Sequence, residues 1–218
     1  MTRELPEGTV TVLFTDLEGS TDLATRRGDE AAQEVLRAQR QLVRRQVESH
    51  SGHEVKSTGD GFMVAFTSAR RALACAVEIQ RALEEHNRRQ LPDQQLRVRI
   101  GLNTGEAIRE ESDLFGAAVN AAARVAAKAK GGQILVSELV KDLVGLDIDV
   151  PLADRGRFRL KGFPERWRLF EVLWQPETLA MPALVERTPF VGRDEEWAEL
   201  RRRRGACGSG CRRRRAEG

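Results

Sequence analysis

The stretch from Val55 to Phe66, VKSTGDGFMVAF, decides how the rest of the sequence is interpreted. Two apolar runs flank a Gly-Asp-Gly turn, a pattern that predicts a β-hairpin over residues 53–66. Asp60 sits at the expected tip, and Lys56 lies on the strand that leads into it. Because Asp tolerates turn geometry, a structural role is sufficient for Asp60 on this stretch alone.

The sequence on either side of the hairpin predicts a strand and two helices. An apolar, β-rich run predicts a buried strand over residues 9–15. Apolar residues at helical spacing predict a helix over residues 28–49. A further helix is predicted after Thr67 and Ser68, which are candidate capping residues.

The second half of the chain continues the alternation of strands and helices. Residues 96–110, LRVRIGLNTGEAIRE, predict two strands around a turn at 103–105. An Ala-rich helix is expected to end at Gly131-Gly132, and a strand, a short capped helix and β pieces over 147–173 follow. The order favours an α+β fold, with a ferredoxin-like split βαβ core and an antiparallel-rich sheet.

Composition indicates a soluble protein with one sizeable core. The chain has 218 residues, of which 40% are hydrophobic and 32% are charged. No stretch approaches the length of a membrane span, so we expect no membrane association. The three cysteines form neither a metal-binding pattern nor a disulfide framework. This usage fits a reducing compartment, and we expect a cytoplasmic location.

The net charge of +3 comes from the end of the chain. Residues 201–218 hold eight arginines and one glutamate, which leaves residues 1–200 with a net charge of −4. A mildly acidic body does not support a specific nucleic-acid face. The tail alone attracts polyanions by charge, without specificity.

Two acids are expected to meet at one edge of the sheet. Asp16 ends the first predicted strand, and Asp60 lies at the hairpin tip. In a ferredoxin-like sheet the first strand is central and lies beside the hairpin. Carboxylate oxygens without nearby His or Cys suit Mg²⁺ or Mn²⁺. Each Asp alone is explained by its turn, so the pairing carries the metal hypothesis.

The Ala-rich helix carries a second polar group. Asn120 and Arg124 are four residues apart and therefore share one helix face. The residues around them are small, so this face is able to approach another surface closely. Asp113 precedes the helix, where an N-cap role is the simplest explanation.

These segments together resemble the class III nucleotidyl cyclase catalytic domain, over about residues 8–174. Several motifs occur in order, and each functional position that aligns holds the expected residue type. The motifs are FTDLEGST, VKSTGDGFMVAF, IGLNTGEAI, DLFGAAVNAAARVAAKA, GGQILVS and RFRLKGFPERWRLFEVL.

The resemblance implies a role for each site residue. Asp16 and Asp60 are implied to bind two Mg²⁺ or Mn²⁺ ions, with the carbonyl of Leu17 as an additional ligand. Lys56 and Asp113 are implied to recognise the base.

The resemblance also implies an orientation of the ribose by Asn120 and stabilisation of the transition state by Arg124. The family builds its active site between two protomers, so a homodimer with two equivalent sites is expected. Asp16 and Asp60 come from one chain, and the other four side chains come from its partner.

The implied reaction converts ATP to 3′,5′-cyclic AMP and pyrophosphate, in intracellular signalling. Lys56 donates and ionised Asp113 accepts, which matches adenine better than guanine. A guanylate cyclase and a non-catalytic, nucleotide-binding or dimerising cyclase-homology module are the alternatives.

The C-terminal region is expected to differ from the domain of residues 1–174. Its prolines predict a linker over 175–186. Residues 187–200, RTPFVGRDEEWAEL, resemble the start of an AAA-type ATPase module, and the phosphate loop that should follow is missing. We therefore expect an incomplete module and an Arg/Gly-rich disordered tail over 201–218, from a truncated or frameshifted fusion.

Overall fold

A computed structural model describes residues 5–19, 28–91, 94–145 and 149–175. The chain divides into two compact units, Met1–Pro176 and Glu177–Gly218, and every described residue belongs to the first. The predicted ATPase-like segment and arginine-rich tail lie outside the described residues, as does the predicted linker apart from Gln175.

Strands and helices alternate in the predicted order. The strands are β1 (Gly8–Leu17), β2 (His53–Thr58), β3 (Gly61–Phe66), β4 (Val98–Glu110), β5 (Asp113–Phe115), β6 (Ile134–Ser137), β7 (Leu152–Arg159) and β8 (Arg166–Val172). The helices are α1 (Asp29–Ser49), α2 (Ala69–Asn87), α3 (Ala117–Ala126) and α4 (Glu138–Val144). Within the part of the chain that the structure describes, no helix has the length and apolar character needed to cross a bilayer.

One mixed sheet organises these elements, in the order β2-β3-β1-β4-β6-β8-β7, and β5 pairs with the end of β4. β1 runs antiparallel to both β3 and β4. The central position predicted for the first strand is therefore confirmed. The α+β prediction is confirmed as well, and the sheet is largely antiparallel, as expected.

Alternation along β1 divides the core into two parts. Leu13 and Leu17 pack with residues of α1 and α2 in the larger cluster. Val10 and Val12 pack on the other face, in a cluster that includes residues of α3. Because successive side chains of a strand point to opposite faces, Asp16 belongs to the face that α3 covers.

The turn predicted at 103–105 is wrong. β4 continues through these residues from Val98 to Glu110, and the chain reverses at Glu111, whose φ is 54°. Asn103 is buried and donates its side-chain amide to the carbonyl of Ala118 at 3.0 Å. The Thr104 hydroxyl lies 2.8 Å from the Thr11 hydroxyl. These polar residues have hydrogen-bond partners in the core. Residue types that are common in turns therefore form part of a central strand here.

Helix α3 lies against β4 at two glycines. A Cβ atom on Gly101 would overlap the backbone of Ala126, and one on Gly105 would lie 2.9 Å from the Cβ of Ala118. Only hydrogen atoms fit between helix and strand at these points. The close approach was predicted for the face that carries Asn120 and Arg124, but it is the face of Ala118 and Ala126 that lies against β4.

The same helix ends earlier than the glycine pair predicted. α3 stops at Ala126, and Lys128 and Ala129 donate to carbonyls three residues back. Gly132 then donates to the carbonyl of Val98 at 2.9 Å. The chain thus leaves the helix early because it must return to β4 before β6 begins.

We expect Gly101→Ala to lower the free energy of unfolding by about 1–3 kcal/mol, because the added methyl group meets backbone that cannot rotate away. Urea denaturation measures the change. Ala127→Ser, an added atom at an exposed position beside the same helix end, is the control and should change stability by less than about 0.5 kcal/mol. Equal stability of Gly101→Ala and wild type would contradict the close packing.

Candidate active site

The hairpin places Asp60 in a two-residue turn beside the end of β1. β2 ends at Thr58 and β3 begins at Gly61, so Gly59 and Asp60 form the turn. Gly59 has a φ of 70°, which the first position of a type II′ turn requires. Thr15 pairs with Phe62, which brings the turn to the edge where Asp16 lies. The predicted meeting of the two acids at one edge agrees with this register.

Asp16 has a cationic partner that the sequence interpretation missed. Arg99 lies directly opposite it on β4. The Arg99 Nε donates to Asp16 Oδ2 at 2.6 Å, and the guanidinium Nη2 contacts the same oxygen. The signal was present in the sequence, since Arg99 alternates with the buried Val98 and Ile100 and so must face away from the larger core.

The donor set at this edge suits a hard divalent cation. Asp16 and Asp60 offer carboxylate oxygens, and Leu17, whose carbonyl is the additional ligand expected, is the residue after Asp16 and is buried. The described residues contain no group of three or more His, Cys, Asp or Glu able to hold a metal ion. Mg²⁺ typically takes one or two carboxylates and completes its shell with water and phosphate. The residues present therefore fit Mg²⁺ or Mn²⁺ held together with a phosphate-bearing ligand.

Cys75, the one cysteine among the described residues, does not contribute a thiolate ligand to this site. Burial raises the pKa of Cys75 to about 12, so the thiol stays protonated at neutral pH. Its side chain belongs to the larger core cluster.

Lys56 and Asp113 form a direct ion pair. The Lys56 Nζ donates to Asp113 Oδ2 at 2.6 Å, and the two side chains are 42% and 28% exposed. Asp113 lies in β5 and does not cap α3, whose N-cap is Gly116. The Lys56 ammonium also lies 5.8 Å from the centre of the Phe115 ring. The structure therefore brings together two residues that are 57 positions apart.

Asp113 is held in its ionised form. Partial burial raises the pKa of this carboxyl, but the hydrogen bond from Lys56, the hydrogen bond from the Leu114 amide and the Lys56 charge outweigh it. The net effect is a pKa below the ordinary value of 3.8. At neutral pH Asp113 is therefore only a hydrogen-bond acceptor.

Asn120 and Arg124 form an exposed pair on α3. Both side chains are exposed, whereas Ala118, Ala122 and Val125 on the same helix are buried. The helix thus turns its small residues towards the sheet and presents the amide and the guanidinium to its surroundings. Arg124 lies in the last turn, where a cation interacts favourably with the helix dipole.

Glu18 connects the end of β1 to the loop after α3. Its backbone amide donates to the carbonyl of Arg97 at 2.8 Å. Its Oε1 accepts from the Gly131 amide at 3.3 Å. The Glu18 side chain therefore links the end of the strand that carries Asp16 to the loop that follows α3.

Comparisons with known proteins agree on the type of domain. Residues 3–173 match the family model described as the adenylate and guanylate cyclase catalytic domain. An adenylate cyclase of Mycosarcoma maydis is 37% identical over 166 residues, which cover 65% of this chain and 6% of that protein.

Solved structures share the fold. An adenylate/guanylate cyclase/hydrolase from Silicibacter pomeroyi has a TM-score of 0.68 and 30% identity, over 79% of this chain and 99% of that one. The guanylyl cyclase Cya2 has a TM-score of 0.68 and 28% identity, over 80% of this chain and 98% of that one.

The relatives differ from this chain in length and among themselves in substrate. This chain spans 22%, 6% and 54% of the first three curated relatives it matches. Adenylate and guanylate cyclases both occur among the similar proteins. Similarity alone therefore does not identify the nucleotide, which depends on the side chains of the site.

We expect a double-mutant cycle of Lys56→Ala and Asp113→Ala to give a coupling energy of about 0.2–1 kcal/mol at neutral pH, since the pair is half exposed. The folded-state pKa of Asp113 is depressed, so this contribution is present above the ordinary pKa of 3.8 and is lost as the pH falls through the folded value. Urea denaturation of the four proteins at several pH values measures it. A coupling energy that persists in acid would contradict the pairing.

Proposed function

The chain belongs to the adenylate and guanylate cyclase catalytic domain family, and we propose that it converts ATP to 3′,5′-cyclic AMP and pyrophosphate. The observation that carries the choice of ATP is the contact between Lys56 and Asp113, 2.6 Å apart within one chain. It places one obligate donor beside one obligate acceptor.

This donor and acceptor match the edge of adenine. Adenine presents an acceptor at N1 and a donor at its exocyclic amine, which suit Lys56 and Asp113 respectively. Guanine reverses both groups, so Asp113 would face an acceptor at O6. Each unpaired buried group costs about 1–3 kcal/mol, which corresponds to roughly tenfold to hundredfold discrimination for each mismatch.

The base must separate the two side chains before it binds between them. A half-exposed ion pair is worth about 0–1 kcal/mol, so opening this pair costs little. The closed pair keeps both charged groups oriented and partnered until adenine replaces each partner with its own edge.

Asp16 and Asp60, with the carbonyl of Leu17, would hold two Mg²⁺ or Mn²⁺ ions. When bound, such ions supply Lewis-acid activation of the ribose 3′-hydroxyl and neutralise charge on the triphosphate. The protein's contribution at this edge is the placement of two carboxylates on adjacent backbone segments. Arg99, which pairs with Asp16, adds a cation to the edge where the triphosphate would lie.

Arg124 and Asn120 would act on the reacting part of the nucleotide. The exposed guanidinium of Arg124 offers two donors to phosphoryl oxygens, on which negative charge grows as the 3′-oxygen attacks the α-phosphorus. The Asn120 amide, one helical turn earlier, orients the ribose. The tight seating of α3 on β4 keeps the backbone of both residues in place.

A second copy of the chain would complete the site. Ile108 and Phe115 face each other across the β4–β5 hairpin and are 62% and 43% exposed. An exposed apolar pair is typical of an interaction surface. Phe115 also contacts Lys56, so the apolar pair borders the residues proposed to read the base. We therefore assign this surface to an isologous homodimer in which each site takes the carboxylates from one chain and α3 from the other.

The proposed location is the cytoplasm, where the product would serve intracellular signalling. Cysteine usage without a disulfide framework is consistent with a reducing compartment.

The first experiment tests whether the protein makes a cyclic nucleotide from ATP. The full chain is incubated with ATP or with GTP in the presence of Mn²⁺ or Mg²⁺, and the cyclic product is measured. We expect cyclic AMP, lost in Asp60→Ala. Cyclic GMP as the main product would overturn the base assignment and leave the reaction class intact. No cyclic product at protein concentrations that form dimers would favour a non-catalytic module.

We expect Arg124→Ala to lower kcat by roughly 10²–10³ with little change in KM for ATP, because its contacts form in the transition state. An equal mixture of Arg124→Ala and Asp60→Ala chains should regain about a quarter of wild-type activity, because half of the dimers then hold one intact site of two. Product formation by the mixture and by each variant alone measures this. A mixture as inactive as its components would contradict the shared site.

A further inference from the structure

Helix α1 contacts the turn that carries Asp60 through two adjacent side chains. Gln39 donates its Nε2 to the carbonyl of Asp60 at 3.4 Å. Arg40 donates its Nε and Nη2 to the carbonyl of Gly59, at 3.0 and 2.6 Å. Both carbonyls of the two-residue turn are therefore bound by neighbouring residues of one helix.

Gln39 occupies a position of α1 at which the helical pattern of buried residues predicts an apolar side chain. The buried stripe of α1 includes Ala32, Val43 and Val47, and Gln39 is on it with 0% exposure. Its Oε1 is buried and has no hydrogen-bond partner among the described residues. An unsatisfied buried polar group destabilises a fold, so an apolar side chain of similar size would serve the core better. Packing alone does not account for glutamine at this position.

The turn itself has little intrinsic rigidity. Gly59 has a φ of 70° and no side chain to restrict it, and glycine loses more conformational freedom than any other residue when it is ordered. Hydrogen bonds to both turn carbonyls fix the peptide planes on either side of Asp60. These planes determine the direction in which the Asp60 side chain leaves the backbone. A metal ligand on a free turn would have to be ordered each time an ion binds.

We propose that Gln39 and Arg40 are positioning residues that hold the Gly59–Asp60 turn ready for cation binding by Asp60. This inference rests on the proposed metal role of Asp60. It gives the buried Gln39 a role at the turn of Asp60. It also makes Arg40 a residue that supports the site without contacting substrate or metal.

A third residue of α1 provides a matched control. Arg44, one turn after Arg40, binds the Glu54 carboxylate through Nε and Nη2, each at 2.8 Å. It contacts the same hairpin through Glu54, near the start of β2, and its guanidinium lies 5.5 Å from the centre of the Phe62 ring in β3. Removal of Arg44 therefore takes away another guanidinium contact between α1 and the hairpin without touching the turn carbonyls.

The test measures Mn²⁺ binding and turn order separately from activity. The variants Gln39→Leu, Arg40→Ala and Arg44→Ala are titrated with Mn²⁺ alone, and free Mn²⁺ is followed by electron paramagnetic resonance. Asp60→Ala identifies the binding that belongs to the site. We expect Gln39→Leu and Arg40→Ala to weaken this binding about tenfold and Arg44→Ala to leave it unchanged. Hydrogen exchange of the peptide that contains residues 58–62 should become faster in the first two variants only.

Stability distinguishes positioning from packing. Gln39→Leu should unfold at the same urea concentration as wild type or at a higher one, although its Mn²⁺ binding is weaker. Wild-type Mn²⁺ affinity and wild-type exchange in Gln39→Leu and Arg40→Ala would overturn the inference. Wild-type protein that shows no Asp60-dependent Mn²⁺ binding would instead overturn the proposed metal role of Asp60, on which the inference depends.

Discussion

The close contact between α3 and β4 determines how the elements around the candidate site pack. At Gly101 and Gly105 no side chain separates the helix from the strand. The helix must therefore lie along β4 with its alanines inward, and Asn120 and Arg124 are left exposed on it. β4 stays continuous through Asn103 and Thr104 because both residues are buried with partners on opposite faces of the sheet. Asn103 bonds to the carbonyl of Ala118 in α3, and Thr104 contacts Thr11 on the other face.

β1 connects this layer to the edge where Asp16 and Asp60 lie. Leu13 and Leu17 enter the core beneath α1 and α2, whereas Val10 and Val12 face α3. The Thr15 hydroxyl accepts the Phe62 amide at 3.0 Å, which joins β1 to the start of β3 immediately after the turn of Asp60. Asp16 follows in the chain and meets Arg99. Two acids from distant parts of the sequence thus occupy one edge because a single central strand pairs on both sides.

Four charged groups of the candidate site form two ion pairs. Arg99 contacts Asp16, and Lys56 contacts Asp113. Both pairs are partly exposed, and such pairs contribute little to stability, so a ligand that offers better partners can exchange them cheaply. The contacts of Gln39 and Arg40 differ from these ion pairs, because both side chains donate to backbone carbonyls of the turn. In the proposed cyclase, exchangeable pairs would bind the nucleotide while the backbone contacts keep the turn in place.

Local sequence patterns predicted the order of strands and helices, the α+β class and the family, which are confirmed, and they proposed the candidate site residues. These follow from local periodicity, from turn and capping residues and from motifs, all of which lie within short stretches. Three features are visible only in the folded chain: residues 103–105 are strand, Asp16 lies opposite Arg99, and a buried glutamine of α1 contacts the Asp60 turn. Each of these depends on partners that are distant along the chain and close in space. Asn103, Arg99 and Gln39 are polar residues whose partners lie 15, 83 and 21 positions away, and no local pattern encodes a hydrogen bond over such separations.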